Sequence, residues 1–111
     1  MANVMDEIRD EISRNKVMLY MKGTPRAPQC GFSATTVAVL DELGYPYASV
    51  DVLAEPAKRQ AIKEFSNWPT VPQVYVNGTF IGGCDIVQEM YASGELQQLL
   101  QEAFADEAAR G

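Results

Sequence analysis

The feature that most constrains the fold is an uninterrupted run of five apolar residues, Val17–Met21. A run of this length without polar–apolar alternation is typical of a strand that is buried on both faces, as in the centre of a parallel sheet. Residues 4–14 before it have apolar side chains at helical spacing and acidic residues in the first turn, with Asn3 at the N-cap position. We therefore expect an amphipathic helix followed directly by a central strand.

Three further segments predict the rest of a sheet. Residues 47–52 have the pattern of a second strand, and residues 73–76 and 79–81 flank Asn77-Gly78, the strongest hairpin signal in the chain. A right-handed crossover makes the first two strands parallel, whereas the tight turn makes the last two antiparallel. The expected sheet is therefore mixed and has four strands.

The remaining segments are predicted as helices, except for residues 22–29, where two prolines and a glycine indicate a loop. Helices are expected over residues 31–43, from Pro56 through Phe65, after Asp85 as N-cap, and after Gly94 through Phe104. This α/β order, with helices on both faces of the sheet, resembles the thioredoxin fold with an extra N-terminal helix. The length fits one domain, expected over residues 1–111 with its core at about 4–104.

Composition excludes several classes of function. The chain contains no histidine, which excludes Ser-His-Asp and Cys-His catalysis and imidazole metal ligation. Its net charge of −6 would on average repel a nucleic acid backbone. No apolar run approaches the roughly 20 residues that span a bilayer, and the first residues are acidic rather than signal-like. Two cysteines are too few for a secreted disulfide scaffold, so we expect a cytoplasmic protein. From the net charge and the lack of a membrane-spanning run we expect neither nucleic-acid nor membrane partners.

Five of the nine cationic residues fall in two short stretches of the chain. If folding brings these stretches together, they form a basic pocket for a small anion. The five residues are Lys22, Arg26, Lys58, Arg59 and Lys63.

Cys30 follows the predicted loop and lies where the next helix begins. Unpaired backbone N–H groups and the helix dipole favour a thiolate there, and Lys22, at the end of the preceding strand, is placed to add positive charge. The glycine- and proline-rich surroundings open the backbone around the sulfur, which disfavours the alternative of an inert buried cysteine. We therefore expect Cys30 to be an activated thiol.

Ser33 lies three residues after Cys30, at the position where a dithiol site has its second cysteine. The thiolate must therefore find a partner elsewhere, in glutathione, another protein or a metal. Glutathione carries two carboxylates and one amine, so its binding requires an anion pocket. The side chains that could meet these groups are Lys22, Arg59 and Lys63 for the carboxylates and Asp85 for the amine.

Two other features leave alternatives open. A cis bond before Pro72 would expose the N–H and C=O of Val71 to a peptide ligand, although a trans bond is commoner in loops. Trp68, in the same stretch, is expected to be a packing residue. Cys84 follows two glycines and has three possible interpretations. It could be a small buried residue, a disulfide partner of Cys30 or a metal ligand, and the first of these is favoured.

Five motifs occur in register along the chain. They are Lys22-Gly23-Thr24-Pro25, Cys30-Gly31-Phe32-Ser33, Trp68-Pro69-Thr70-Val71-Pro72-Gln73, Gly82-Gly83-Cys84-Asp85 and Gly94-Glu95-Leu96. Together, and with a matching order of helices and strands, they resemble the CGFS-type monothiol glutaredoxins of the single-domain bacterial kind. The resemblance covers roughly residues 4–104, nearly the whole expected domain.

The resemblance implies a protein that binds glutathione non-covalently and shares a [2Fe–2S] cluster between two protomers. By position, Cys30 would be the iron ligand, and the residues that hold glutathione would be Lys22, Arg59, Val71, Cys84 and Asp85, with Val71 and Cys84 acting largely through their backbone. Such a cluster takes four thiolates, two from the cysteines of a symmetric dimer and two from glutathione. Because half of these ligands are exchangeable, the cluster is expected to be labile, as suits a carrier.

The resemblance also implies partners and a weak activity. Family members deliver clusters to apo iron–sulfur proteins and pair with BolA-like proteins, while their glutathione-dependent disulfide reduction is weak or absent. Two alternatives stay open. One is a monothiol oxidoreductase that removes glutathione from protein mixed disulfides with Cys30 as nucleophile, and the other is a redox sensor that forms a Cys30–Cys84 disulfide.

Overall fold

The computed structural model describes residues 3–110, with side chains described as far as residue 105. The ends of the predicted domain, Met1, Ala2 and Gly111, lie outside the described residues. The helices are α1 (Val4–Arg14), α2 (Gly31–Leu43), α3 (Pro56–Ser66), α4 (Cys84–Ser93) and α5 (Glu95–Arg110), and the strands are β1 (Val17–Met21), β2 (Gly23–Thr24), β3 (Ala27–Pro28), β4 (Ala48–Asp51), β5 (Gln73–Val76) and β6 (Thr79–Gly82). Within the described range, no helix combines the length and the apolar character needed to cross a membrane.

Four strands form a mixed sheet in the order β4, β1, β5, β6. Strand β1 runs parallel to β4 and antiparallel to β5, which pairs antiparallel with β6 across the Asn77-Gly78 turn. The prediction of a mixed four-stranded sheet with helices on both faces and an additional N-terminal helix is confirmed. This arrangement is the thioredoxin-like fold.

The central strand β1 supplies side chains to two hydrophobic layers. Val17, Leu19 and Met21 pack on one face of the sheet with α2, α4 and α5, while Met18 and Tyr20 pack on the other face with α1 and α3. Successive residues of a strand point to opposite faces, so an unbroken apolar run is what a strand between two layers needs. All five side chains are buried.

Helix α1 is joined to the sheet and to α3 by polar contacts. The Asn3 side chain accepts a hydrogen bond from the Asp6 N–H at 3.0 Å, which confirms the predicted N-cap. Near the other end of the helix, Glu11 accepts a hydrogen bond from the Tyr20 hydroxyl at 2.8 Å and pairs with Lys58 of α3. Burial, together with the Glu11 carboxylate, raises the pKa of Tyr20, so this hydroxyl stays protonated and donates.

The prediction of a plain loop over residues 22–29 is wrong. Strands β2 and β3 pair there as a short antiparallel hairpin, with Gly23 opposite Pro28 and Thr24 opposite Ala27. Prolines are tolerated in such edge strands, so their presence does not exclude pairing. Gly23 has a φ of +86°, and a Cβ atom at this position would lie 2.5 Å from the Ala27 carbonyl oxygen, so the hairpin requires glycine.

The prediction of Asp85 as the N-cap of α4 is also wrong. The N-cap is Gly83, whose carbonyl oxygen accepts a hydrogen bond from the Val87 N–H at 3.0 Å, and Asp85 lies in the first turn of the helix. A carboxylate stabilises the first turn through the helix dipole much as it does at the cap. The sequence pattern therefore does not distinguish these two positions.

Candidate thiol site and anion-binding cavity

A cavity of about 480 Å³ opens beyond the end of strand β1. Its walls come from the start of α2, from α3, from the segment before β5 and from the start of α4. Clefts at the C-terminal ends of strands are the usual ligand sites of α/β folds. Six residues that the resemblance assigns to iron and glutathione binding line this cavity: Lys22, Cys30, Arg59, Val71, Cys84 and Asp85.

The Cys30 thiol is partly exposed and lies at the N-cap position of α2. The backbone N–H of Ser33 has the largest effect and lowers the pKa of the thiol, and the Phe32 N–H, the Lys22 charge and the Ser33 hydroxyl lower it further against the opposing effect of burial. These are the N–H groups that a helix start leaves without partners in the helix. The thiol thus lies in the environment that the sequence predicts, one that favours the thiolate.

The backbone around Lys22 is fixed by several hydrogen bonds. The fully buried hydroxyl of Ser33 accepts a hydrogen bond from the Lys22 N–H at 3.1 Å, and the Lys22 carbonyl accepts one from the Gln29 N–H at 2.9 Å. The next N–H along the chain, that of Gly23, donates to the Asp51 carboxylate at 2.9 Å. The side chain at position 33, where a dithiol site has a second sulfur, therefore fixes the backbone of Lys22, whose charge lowers the pKa of the thiol.

One buried amide shapes the cavity wall before β5. The Gln73 side chain donates hydrogen bonds to the carbonyl oxygens of Trp68 and Thr70, at 3.2 and 3.1 Å, and accepts one from the Tyr75 hydroxyl at 2.9 Å. Within this wall the peptide bond between Val71 and Pro72 is cis, which resolves the alternative that the sequence leaves open. The wall is thus held in one conformation by side chains of the sheet.

Trp68 lies in the same wall, where it packs as predicted and also lines the cavity. Its ring packs against Phe80 with centroids 5.9 Å apart. The indole Nε1 is buried and has no hydrogen-bond partner among the described residues. A Cβ atom built on Gly83 would lie 3.4 Å from this nitrogen, so the glycine leaves room for the ring.

Cys84 and Asp85 form the start of α4 and the remaining wall. Cys84 is buried, and its thiol donates to Gln88 at 3.7 Å, which agrees with its interpretation as a small buried residue. Cys30 and Cys84 are both free thiols that line the same cavity, and a disulfide between them stays one of the alternatives to the favoured interpretation of Cys84. No group of three or more possible metal-ligand side chains is found within the described part of the chain.

The five clustered cations do not all reach the cavity. Lys58 lies on another face of α3, where it is buried and pairs with Glu11 and Glu55. Adjacent residues of a helix point about 100° apart, so Lys58 and its neighbour cannot share one environment. Arg26 is exposed between β2 and β3 and does not line the cavity. The predicted basic pocket is therefore wrong for Lys58 and Arg26, and the cations that line it are Lys22, Arg59 and Lys63.

The fold and the site together define a thioredoxin-fold protein with one activated thiol and no second cysteine three residues further on. The sequence pattern of the glutaredoxin family matches residues 17–81, more than half of the chain. A relative from Synechocystis sp., described as an uncharacterized monothiol glutaredoxin ycf64-like, is 57% identical over 94 residues, which are 85% of this chain and 88% of the relative. The chain belongs to the glutaredoxin family, as a monothiol member.

Two solved structures resemble the whole fold. The solution structure of reduced poplar apo GrxS14 matches with a TM-score of 0.79 and 47% identity, covering 89% of this chain and 91% of that chain. The crystal structure of a buckwheat glutaredoxin–glutathione complex matches with a TM-score of 0.82 and 27% identity, covering 92% and 91%. The chain thus shares its thioredoxin-like fold with a protein that is 47% identical and with one that is only 27% identical.

Several residues of the site escape sequence reasoning. Phe32, with 63% of its surface exposed beside the thiol, lines the cavity, as do Thr70 and Ile86. Phe32 and Ile86 are apolar and carry no chemical signature that separates them from core residues, and a single threonine in a loop is equally uninformative. Asp51 and Gln73 have weak signals, since one is a carboxylate near the end of a predicted strand parallel to β1 and the other is a polar residue at the start of an apolar strand.

Proposed function

We propose that this monothiol glutaredoxin binds glutathione in the cavity and carries a labile [2Fe–2S] cluster between two protomers. The observation that carries the proposal is one activated, partly exposed thiol that opens into a cavity lined by three cations and one carboxylate. Ser33 leaves no second thiol at the resolving position, so Cys30 must bond to a partner from outside this segment.

The charged lining of the cavity supports glutathione as the ligand. Glutathione has two carboxylates and one ammonium group, which require cations and one anion around them. In the proposed site Lys22 and Arg59 bind carboxylates and Asp85 binds the ammonium group, while Val71 and Cys84 contribute backbone groups. The buckwheat relative was solved as a complex with glutathione, which supports this class of ligand.

The cluster is the cargo of the proposed assembly. A [2Fe–2S] cluster takes four thiolates, whereas each chain has two cysteines, of which Cys84 is buried. Cys30 and one bound glutathione from each protomer give four thiolates in a symmetric dimer. Because two ligands are small molecules that dissociate, the cluster can pass to apo iron–sulfur proteins. A BolA-like protein in place of one protomer would give a related heterodimer.

Anaerobic reconstitution tests this proposal directly. The protein is incubated with iron, sulfide and glutathione, and is then examined by visible absorption and size-exclusion chromatography. We expect a coloured dimer that forms only in the presence of glutathione and that is lost in Cys30→Ser. Cys84→Ser is the matched control, because Cys84 is buried and is assigned a backbone role, and it should retain the cluster. A colourless monomer from the unmodified chain in every sample would contradict the proposal.

Cluster delivery and pairing are tested on the reconstituted protein. Mixed with an apo [2Fe–2S] ferredoxin, it should lose its visible circular dichroism as the ferredoxin gains its own. Addition of a BolA-like protein should replace the homodimer by a heterodimer in chromatography. If the cluster stays with the homodimer in both mixtures, the protein binds a cluster without acting as a carrier.

A second candidate function is the removal of glutathione from protein mixed disulfides, which the exposure and lowered pKa of Cys30 favour. The Cys30 thiolate would attack the glutathione sulfur and release the protein thiolate. A second glutathione thiolate would then attack the Cys30–glutathione disulfide, which yields oxidised glutathione and restores Cys30. Rapid turnover of a glutathionylated peptide that is lost in Cys30→Ser, together with no cluster after reconstitution, would establish this activity instead.

A further inference from the structure

The wall segment, residues 68–72, lies between α3 and β5, and all five of its residues line the cavity. Two of the five are prolines, which have no N–H to donate. At its start the Trp68 N–H donates to the Lys63 carbonyl at 3.2 Å, which anchors the segment to the end of α3. The rest of the segment makes no backbone–backbone hydrogen bond among the described residues, so side chains must hold it.

The side chain that holds the wall segment is the amide of Gln73, the first residue of β5. It is fully buried, and it donates to the carbonyl oxygens of Trp68 and Thr70 at 3.2 and 3.1 Å. A primary amide has two N–H donors, so this one spends its full donor capacity on the wall segment. Gln73 therefore ties the segment to the sheet at two points.

The orientation of this amide is set by Tyr75, two residues further along β5. The Tyr75 hydroxyl donates to Gln73 Oε1 at 2.9 Å, which directs the amide nitrogen toward the wall segment. Burial raises the pKa of Tyr75 to about 12, so the hydroxyl keeps its proton and stays a donor. The Tyr75 ring is itself packed against Tyr20 and Phe80, with centroids 5.9 and 5.3 Å apart.

Val71 lies in the middle of the held segment. Its side chain is buried, and its N–H and C=O have no hydrogen-bond partner in the part of the chain that the structure describes. An extended peptide can pair with two such groups as it pairs with the edge of a sheet. Glutathione has two amide bonds, so it can supply both the donor and the acceptor that this pairing needs.

We infer that Gln73 is a positioning residue, which sets the wall segment in the conformation that offers the Val71 backbone to the amide groups of a peptide thiol. Gln73 does not line the cavity and acts only through the segment. A segment that is already ordered binds more tightly, because the ligand does not have to order it. The inference rests on the proposed binding of glutathione and adds a selectivity for thiols with a peptide backbone.

The test is calorimetric titration of reduced glutathione, under anaerobic conditions, into the unmodified chain and three variants. Gln73→Met keeps the length of the side chain without its donors, and the Kd should rise roughly tenfold, as when binding has to order about one residue of backbone. Tyr75→Phe leaves the amide in place but frees it to turn, and the Kd should rise about threefold. Tyr20→Phe is the matched control for Tyr75→Phe.

The control removes the same hydroxyl from the neighbouring buried tyrosine. The Tyr20 hydroxyl donates to Glu11 and not to the amide that holds the wall segment. Its Kd should therefore stay within about twofold of that of the unmodified chain. A thermal unfolding midpoint well above the titration temperature shows that each variant is folded.

Two glutathione analogues, each with a different amide nitrogen methylated, separate positioning from a general loss of stability. For the analogue whose methylated nitrogen would donate to the Val71 carbonyl, the difference between the unmodified chain and Gln73→Met should shrink to about twofold. For the other analogue it should stay roughly tenfold. Partial unfolding would instead weaken the binding of every ligand by the same factor.

Three outcomes would overturn the inference. They are an unchanged Kd in folded Gln73→Met, an equal rise in Kd in Tyr75→Phe and Tyr20→Phe, and a loss of affinity in Gln73→Met that is the same for both analogues. If Gln73→Met does not fold, the two tyrosine variants decide the question, and equal Kd values would again overturn the inference. In each of these cases the unmodified chain still binds glutathione, so the proposed function stands. If the unmodified chain itself does not bind glutathione, the proposed function fails first.

Discussion

Helix α3 has two charged faces that behave in opposite ways. On one face, Lys58 is buried and pairs with Glu11 of α1 and with Glu55. Burial disfavours its charged form, but the hydrogen bonds and charges of the two carboxylates outweigh burial and raise the pKa of Lys58. On the other face, Arg59 and Lys63 line the cavity and have no carboxylate partner within the described residues.

This difference separates charges that stabilise the fold from charges that are free to bind a ligand. When one partner of a buried pair is removed, the other is left as an uncompensated charge outside bulk water, which is costly. A solvated cation without a partner contributes little to the free energy of unfolding. Its removal should therefore lower the affinity for a ligand and leave the stability of the fold nearly unchanged. Positions 58 and 59 are adjacent in the chain, yet we expect a substitution at 58 to lower the stability of the fold and one at 59 to weaken ligand binding.

The largest expected effect is the difference in the free energy of unfolding between the variants Lys58→Met and Arg59→Met. Lys58→Met leaves the half-buried Glu11 without its cationic partner, while the Tyr20 hydroxyl still donates to it, and should lower the free energy of unfolding by roughly 2–4 kcal/mol. Arg59→Met should change it by no more than about 0.5 kcal/mol but should weaken glutathione binding. Urea unfolding followed by far-UV circular dichroism, with calorimetry for the ligand, measures both. Equal destabilisation by the two substitutions would break the comparison.

A smaller effect is expected from Asp51, a structural carboxylate on the cavity side. The same Asp51 oxygen accepts hydrogen bonds from the N–H groups of Gly23 and Leu53, both at 2.9 Å, and so joins the end of β4 to the hairpin after Lys22. Asp51→Ala should cost about 2 kcal/mol of unfolding free energy and should also weaken glutathione binding. Asp51→Asn keeps an acceptor oxygen and should recover a large part of both losses. If the asparagine variant behaves like the alanine variant, the hydrogen bonds are not the cause.

A third prediction concerns Asn3, which caps helix α1 and does not line the cavity. Asn3→Ala removes the side-chain cap of α1 and should lower the free energy of unfolding by about 1 kcal/mol. Asn3→Asp retains a capping oxygen and is the matched control. Neither variant should change the Kd for glutathione, and a change in that Kd would show that α1 acts on the cavity after all.

The smallest expected effect concerns the rate of alkylation of Cys30 as a function of pH. The native pKa of this thiol is lowered, first by the Ser33 N–H, so the thiolate and its reactivity persist to lower pH and are lost only as the pH falls through the native pKa. In urea the rate should instead fall around the ordinary pKa of about 8.5. The stability that the thiolate contributes is likewise present above the unfolded pKa and lost as the pH falls through the native one.

The measurement uses Cys84→Ser, so that a single thiol reports the rate. The native midpoint should lie at a lower pH than the midpoint in urea, and Lys22→Met should move it part of the way back. Identical midpoints in buffer and in urea would show that the start of α2 does not activate the thiol.

The sequence predicts the sheet and the thiol site well because both depend on local patterns. The apolar run of β1, the Asn77-Gly78 turn and the position of Cys30 before a helical pattern each have a direct physical meaning. The edge at which β1 ends then determines that Lys22 and Cys30 lie close together. These features need no knowledge of side-chain packing.

The sequence does not predict features that depend on the phase of a helix or on long-range contacts. Lys58 and Arg59 look equivalent in the chain, and only the packing of α1 against α3 assigns one to an ion pair and the other to the cavity. The hairpin of residues 22–29 depends on a contact between Gly23 and Asp51, 28 residues apart. For the same reason the buried hydroxyl of Ser33 is recognised only in the folded structure.

The position of Trp68 makes the cavity observable by light. It is the only tryptophan in the sequence, its ring lines the cavity, and its indole nitrogen is shielded from water. Indole emission changes in colour and intensity with the polarity around the ring, and a coloured metal cluster nearby would absorb that emission. The fluorescence of the unlabelled protein should therefore report, in real time, when the cavity fills and when it empties.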